Sequence, residues 1–243
     1  MDSADFKGFM GIRLNDTTFS NDIMLVIVLL LLSVFAWIFR SNTPLFGKMI
    51  SNISAGEQRQ SIFETTEKDS FLFNFFMTFQ TLLLFSIFIL SAADKSQSLL
   101  HKDMVATLLS LGYLFVFCFL YYLFKRGLYA IFGIIFIEQS TNKMMFTNFQ
   151  ALFCTWGIVL YLPVLWVLLF DTYLFLSIIF LIISFLTFKA ILSLRFFYIF
   201  YNKNTGFLFF SLYLCAQEIA PLVFFYKGMV YTYNIIETNY SWQ

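Results

Sequence analysis

The stretch "IMLVIVLLLLSVFAWIF", Ile23 to Phe39, holds seventeen residues without a charge and ends at Arg40. At 1.5 Å of rise per residue, a helix of this length comes close to the roughly 30 Å of a bilayer's hydrocarbon core. A cleavable signal would place basic residues before a short apolar run and small residues after it. Here the preceding tail carries Asp2, Asp5, Asp16 and Asp22, and the run is followed by "RSNTPLFGK", so the stretch reads as a retained transmembrane helix.

Composition extends that reading to the whole chain. Of 243 residues, 60% are hydrophobic, 12% are charged and 36 are Phe, so the polar residues could not cover the apolar surface of a water-soluble domain this size. Further apolar runs place spans at 71–91, 104–124, 149–170, 173–194 and 207–227, giving an all-α, polytopic transmembrane helix bundle of six spans in a single domain, 1–243. Lys125 and Arg126 interrupt the third run. The apolar piece after them, 127–137, is too short to cross and reads as an interfacial or re-entrant helix. The loop 40–70 is the largest aqueous segment; Phe46, Met49, Ile50 and Ile53 have the spacing of a short amphipathic helix, although an ordinary polar loop accounts for it equally well.

Charge orients the bundle. Ten of the fifteen Lys and Arg residues fall on one side of the six spans, which places that side in the cytoplasm and both termini in the periplasm. A net charge of +1 offers nothing to nucleic acid. Cys118, Cys154 and Cys215 each lie inside an apolar run and read as small core residues. His101 is the single histidine and makes no metal site, and no sequence pattern calls for a cofactor. The expected surroundings are the lipid bilayer and other inner-membrane proteins. An internal repeat of the kind many transporters carry is not found.

The polar feature that stands out is "SLYLCAQEIAPLVFF", Ser211 to Phe225. A carboxylate within a span costs about 2.5–3.5 kcal/mol on insertion scales, so Glu218 must be neutral, paired or facing a polar cavity. On a helix, Ser211, Cys215, Glu218 and Pro221 share one face. Pro221 lacks an N–H and would release the carbonyl of Gln217, giving an acid, an amide and an open carbonyl within one turn. That cluster is either a structural lock or a working site. Lys189 and Arg195 are its candidate charge partners, while Lys125 and Arg126 are candidate contacts for a lipid phosphate. Asn74, Thr78 and Thr81 form a weaker stripe along the second span, of the kind that hydrogen-bonds one helix to another.

The segments "YLFKRGLY" (122–129) and "FFYIFYNKNTGFLFFSLYLCAQEIAPLVFF" (196–225), with the aromatic stretch ending near Tyr240, resemble an uncharacterised integral membrane family of Bacteroidota, domain of unknown function 4271. The likeness covers about the last two-thirds of the chain. It implies a Gram-negative inner membrane, a basic residue after an aromatic-rich third span, here Lys125, and a Cys-Xaa-Xaa-Glu-Xaa-Xaa-Pro pattern in the last span, here Cys215, Glu218 and Pro221. The family has no assigned reaction. The expectation from sequence is therefore an accessory or scaffolding subunit of an envelope or export assembly. The alternatives are a transporter of a proton-coupled or lipid-like substrate using Glu218, and an intramembrane lipid-modifying enzyme.

Overall fold

Inside a bilayer every backbone polar group must find its partner within the protein, so apolar runs of this length become helices. The computed structural model describes residues 17–41, 67–97, 104–136, 139–170, 174–202, 221–228 and 230–231. Six helices follow in order: α1 Thr17–Ser41, α2 Glu67–Gln97, α3 Met104–Phe136, α4 Gln139–Val159, α5 Tyr161–Leu169 and α6 Leu174–Asn202. Residues 221–228 are also helical. Among the described residues there is no strand, and five segments are long and apolar enough to cross a membrane: Asp22–Arg40, Leu72–Lys95, Thr107–Ile131, Phe146–Leu169 and Leu174–Arg195. The chain is a polytopic helix bundle.

Two features differ from the sequence reading. Helix α3 runs unbroken through Lys125 and Arg126 to Phe136, so 127–136 is a continuation of the third span and no re-entrant turn occurs there. The two charges do not break the helix because neither side chain disturbs the backbone ladder, and both Lys and Arg are good helix formers. The fourth span, by contrast, is interrupted at Leu160, where Pro163 denies the Val159 carbonyl a partner four residues on. The flanking bonds persist, with Leu160 N–H on Trp156 O at 3.0 Å and Val164 N–H on Leu160 O at 3.2 Å, so α4 and α5 together make one span. Finally, Phe225 packs on Phe85 and Phe117, both in the middle third of their spans. Of the expected last span, 207–227, only residues from 221 on are described. The loop 40–70, apart from its ends, and the stretch 203–220 lie outside the described residues.

Burial divides the helices into two kinds. The spans of α2 and α4–α5 are each 61% buried, whereas those of α1 and α6 are 17% and 11% buried. Helix α2 is central and packs against α1, α3, α4 and α5; α4 also packs against α3 and α6. Along α2, Phe73, Met77, Gln80, Leu84, Ile87, Ser91 and Asp94 alternate by four and three residues, and each is 6% exposed or less. That 3.5-residue period is the seam of a left-handed helix pair. The outer faces of α1 and α6 instead present Val26, Leu30, Phe175, Ile183 and Leu194, as a lipid-facing surface does.

Most hydroxyls in the spans bond within their own helix, which spares them a partner across lipid. Ser33 donates to Leu29 O, Thr81 to Met77 O, Ser86 to Leu82 O and Thr155 to Ala151 O. At one end of the bundle Lys95 reaches the carbonyls of Val167 and Phe170, capping the C-terminal turn of α5 with a positive charge. The opposite end carries Arg40, Lys125, Arg126, Lys189 and Arg195. Two contacts bring α3, α4 and α6 to a common level there: Lys125 sits over the Phe149 ring, and Arg195 Nη1 donates to Asn148 Oδ1 at 3.3 Å.

Candidate functional site

The seam between α2 and α4 is closed by shape and by hydrogen bonds. Gly157 lies so close to Thr81 that a Cβ built on it would collide with Thr81 Oγ1. Toward the basic end, Gln150 clasps three helices: its Nε2 donates to Thr78 Oγ1 at 2.7 Å, and its Oε1 accepts from the Tyr122 hydroxyl at 2.8 Å. Thr78 passes its own proton to Asn74 O at 2.8 Å, so acceptors and donors alternate along the chain of groups. The Asn74–Thr78–Thr81 stripe thus serves helix pairing, as its spacing suggests. The partner, Gln150, was not singled out from sequence: it stands at the edge of an apolar run in "NFQALF", where one polar residue looks like a boundary. Its position on the same helical face as Cys154 and Gly157, four and seven residues on, is the signal that could have marked it.

Helix α3 and helix α6 are arranged differently. They flank α2 and α4 without packing extensively on each other, and the space between them is a cavity of about 220 Å³. Its floor is Thr81, Leu82 and Phe85 of α2 with Phe149, Phe153 and Trp156 of α4. Cys118, Tyr121, Tyr122 and Lys125 of α3 make one wall, and Leu181, Phe185, Phe188 and Lys189 of α6 make the other. Leu222 and Phe225 lie across it. The rings brace one another: Trp156 stacks on Phe188 at 5.6 Å between centroids and meets Phe185 edge-on at 5.8 Å, while Phe225 contacts Tyr121 at 4.6 Å. Large planar side chains in such mutual contact cannot collapse inward without leaving their rotamers, which keeps the cavity open.

Two lysines, Lys125 and Lys189, are among the residues that line this apolar chamber. Lys125 is 5% exposed and lies 5.7 Å from the Tyr129 ring centroid and 5.7 Å from that of Phe149. Lys189 lies 5.5 Å from the Phe185 ring. The structure therefore groups Lys125 with Lys189 and separates it from Arg126. Arg126 is one residue and about 100° around the helix, exposed, with its guanidinium toward the Tyr122 hydroxyl. Arg195 is engaged with Asn148. The serines that share its helical face are spread along α6, Ser177 donating to Pro163 O and Ser184 to Leu181 O.

Of the cluster expected around Glu218, Pro221 is buried at the start of the described helical residues 221–228. Ser211, Cys215, Gln217 and Glu218 lie outside the described residues. Among the described residues no three His, Cys, Asp or Glu side chains come together as metal ligands would.

Comparison with curated protein sequences finds no match, and comparison with solved structures finds none either. A family match extends over residues 23–229, from the first span to the helical residues against the chamber, and so takes in more than the last two-thirds of the chain. The chain belongs to the family described as Domain of unknown function (DUF4271).

Proposed function

We propose that this protein is an accessory subunit of a bacterial inner-membrane assembly, in export or envelope construction, and that it holds one apolar chain of a lipid in the chamber between α3 and α6. The observation that carries this reading is the chamber itself: an aromatic-walled space of about 220 Å³ kept open between two spans. A membrane bundle that only needed to fold would close such a gap, because empty volume forfeits packing contacts. In the bilayer the molecules available to fill it are lipids. By the positive-inside rule the end with Arg40, Lys125, Arg126, Lys189 and Arg195 faces the cytoplasm, so the chamber belongs to the inner leaflet. The exposed apolar faces of α1 and α6 are available both to lipid and to neighbouring subunits.

Purification of the full chain from its native membrane, followed by native mass spectrometry and partner identification, tests the reading. The expected result is co-purifying membrane proteins and a retained lipid. Phe185→Trp, which fills the chamber, should remove the lipid while leaving the protein folded. Recovery of the wild-type protein alone and free of lipid would overturn the proposal.

A further inference from the structure

The geometry points to sideways entry into the chamber from the bilayer, past the wall made by helical residues 221–228, with Phe225 selecting by cross-section which apolar chains are admitted. This rests on the chamber holding a lipid chain, and adds the route of that chain and the residue that screens it.

The first ground is how each wall is held. Floor and sides are tied together by hydrogen bonds: Gln150 joins α2, α3 and α4, Arg195 of α6 bonds to Asn148 of α4, and Ser177 of α6 bonds to Pro163 O of α5. Leu222 and Phe225, which complete the lining, have side chains that offer only apolar contact. Lipid tails are as apolar as these side chains, so Leu222 and Phe225 can exchange protein contacts for lipid contacts without the loss that a broken hydrogen bond carries in hydrocarbon. This wall is therefore the least costly one to open.

Placement supplies the second ground. Between ring centroids, Phe225 lies 4.6 Å from Tyr121, 5.5 Å from Phe117 and 6.1 Å from Phe85. Phe224 meets Phe124 edge-on at 6.5 Å, and Gly228 lies against the tip of the Phe117 ring. As the chain advances from 224 to 228 its contacts on α3 go back from 124 to 117, so the segment runs antiparallel to α3 and along the chamber. Leu222 and Phe225, about 4.5 Å apart along the helix axis, both line the cavity, while Val223, Phe224 and Tyr226 are exposed. The wall thus has a chamber side and an outer apolar side of the kind that faces lipid. What passes it comes from the bilayer.

Size is the third ground. A volume of about 220 Å³ is about half as large again as the roughly 150 Å³ apolar cavity that stays dry and takes up one benzene, so a stretch of unbranched chain suits it better than a bulkier lipid. Trp156, Phe185 and Phe188 brace one another on the far side. The Phe225 ring then fixes the width that remains.

Fluorescence quenching reads this at the chamber floor through Trp156. With Trp37, Trp166 and Trp242 replaced by Phe, the full-length protein in phosphatidylcholine nanodiscs is titrated with a straight-chain fatty alcohol brominated near mid-chain and with its methyl-branched counterpart. The straight chain should quench at concentrations at least about tenfold lower, the discrimination that one surplus methyl group meets in a close-fitting apolar pocket. Phe225→Ala should abolish that ratio and speed the onset of quenching several-fold after mixing; Val223→Ala, on the outer side of the same turn, should change neither. Damage to the fold alone would weaken quenching by both chains and leave their ratio, so the ratio reports selection. Should Phe225→Ala fail to fold, Phe225→Leu, which trims the ring and keeps an apolar side chain, should narrow the ratio. Equal quenching by both chains in the parent protein, or a ratio and onset that the Phe225 variants leave unchanged, would overturn the role of Phe225 while the lipid site stands. Quenching by neither chain in the parent protein would overturn the lipid site itself. If the triple-Phe background does not fold, native mass spectrometry of the wild-type and Phe225→Ala chains, each loaded with equal amounts of the two alcohols, gives the same ratio.

Discussion

The α2–α4 seam and the α3–α6 gap are built from different residues and teach different things about membrane packing. In the seam a glycine faces a threonine, an amide joins three helices, and the backbones approach closely. In the gap, rings and lysines face one another and the backbones stay apart. Lipid tails are as apolar as leucine, so apolarity alone does not draw two spans together. Small residues and shared hydrogen bonds do so in the seam, whereas bulky rings set the spacing between α3 and α6.

The comparison breaks most severely if the seam is forced open. Gly157→Val places side-chain atoms where Thr81 already lies, and overpacking of this kind should cost about 3 kcal/mol in reversible unfolding from mixed micelles. A loss below about 1 kcal/mol would mean the seam is no tighter than the gap.

Gln80 sharpens the comparison in the other direction. It sits in the α2 stripe at 1% exposure, and neither of its amide atoms has a hydrogen-bond partner among the described residues. Gln80→Leu should stabilise the protein by about 1–2 kcal/mol, because a buried amide without partners costs roughly that much. Destabilisation would show that the amide is satisfied in the membrane, by water or a neighbour.

Gln150→Leu cuts the clasp and leaves Tyr122 and Thr78 without it. Hydrogen bonds between membrane helices average about 0.6 kcal/mol and reach about 1.7, so a loss near 1 kcal/mol is expected in the same unfolding assay. Additivity with Gly157→Val would separate the two closures of the seam, and strong coupling would make them one.

The smallest effect is one of access. Cys118 lines the gap, whereas Cys154 is fully buried in a cluster with Phe73, Met77 and Ala151. In a Cys215→Ser background a small membrane-permeant maleimide should modify Cys118 several-fold faster than Cys154, as peptide mass spectrometry would show. Equal rates would mean that the gap is as closed as the seam.

Particular residues show how far the sequence carried. The apolar runs located five of the spans because a hydrocarbon solvent leaves a long uncharged stretch almost no alternative to helix. Lys125 and Arg126 misled, since two adjacent charges look like the end of a span although a helix can send one inward and leave the other exposed. Pro163 lies within the fourth apolar run, but the break in the backbone ladder at Leu160 became visible only with the neighbouring bonds in place. Asn74 and Thr78 pointed to helix pairing, yet the partner was hidden: Gln150 is 76 and 72 positions away from them. Lys189 was noticed as a partner for an acid and proves to share a cavity with Lys125, 64 positions earlier.

By itself the sequence determined that the chain is a helical membrane bundle, where most of its crossings lie and which end is basic, because these depend on composition and on spacing within one segment. Tertiary structure alone decided which helices close on each other, that Lys125 and Lys189 line one chamber, and that Gln150 is a clasp. Those relations depend on the rotation of each helix about its axis, which is set by side-chain packing against other spans and leaves little trace in any one of them.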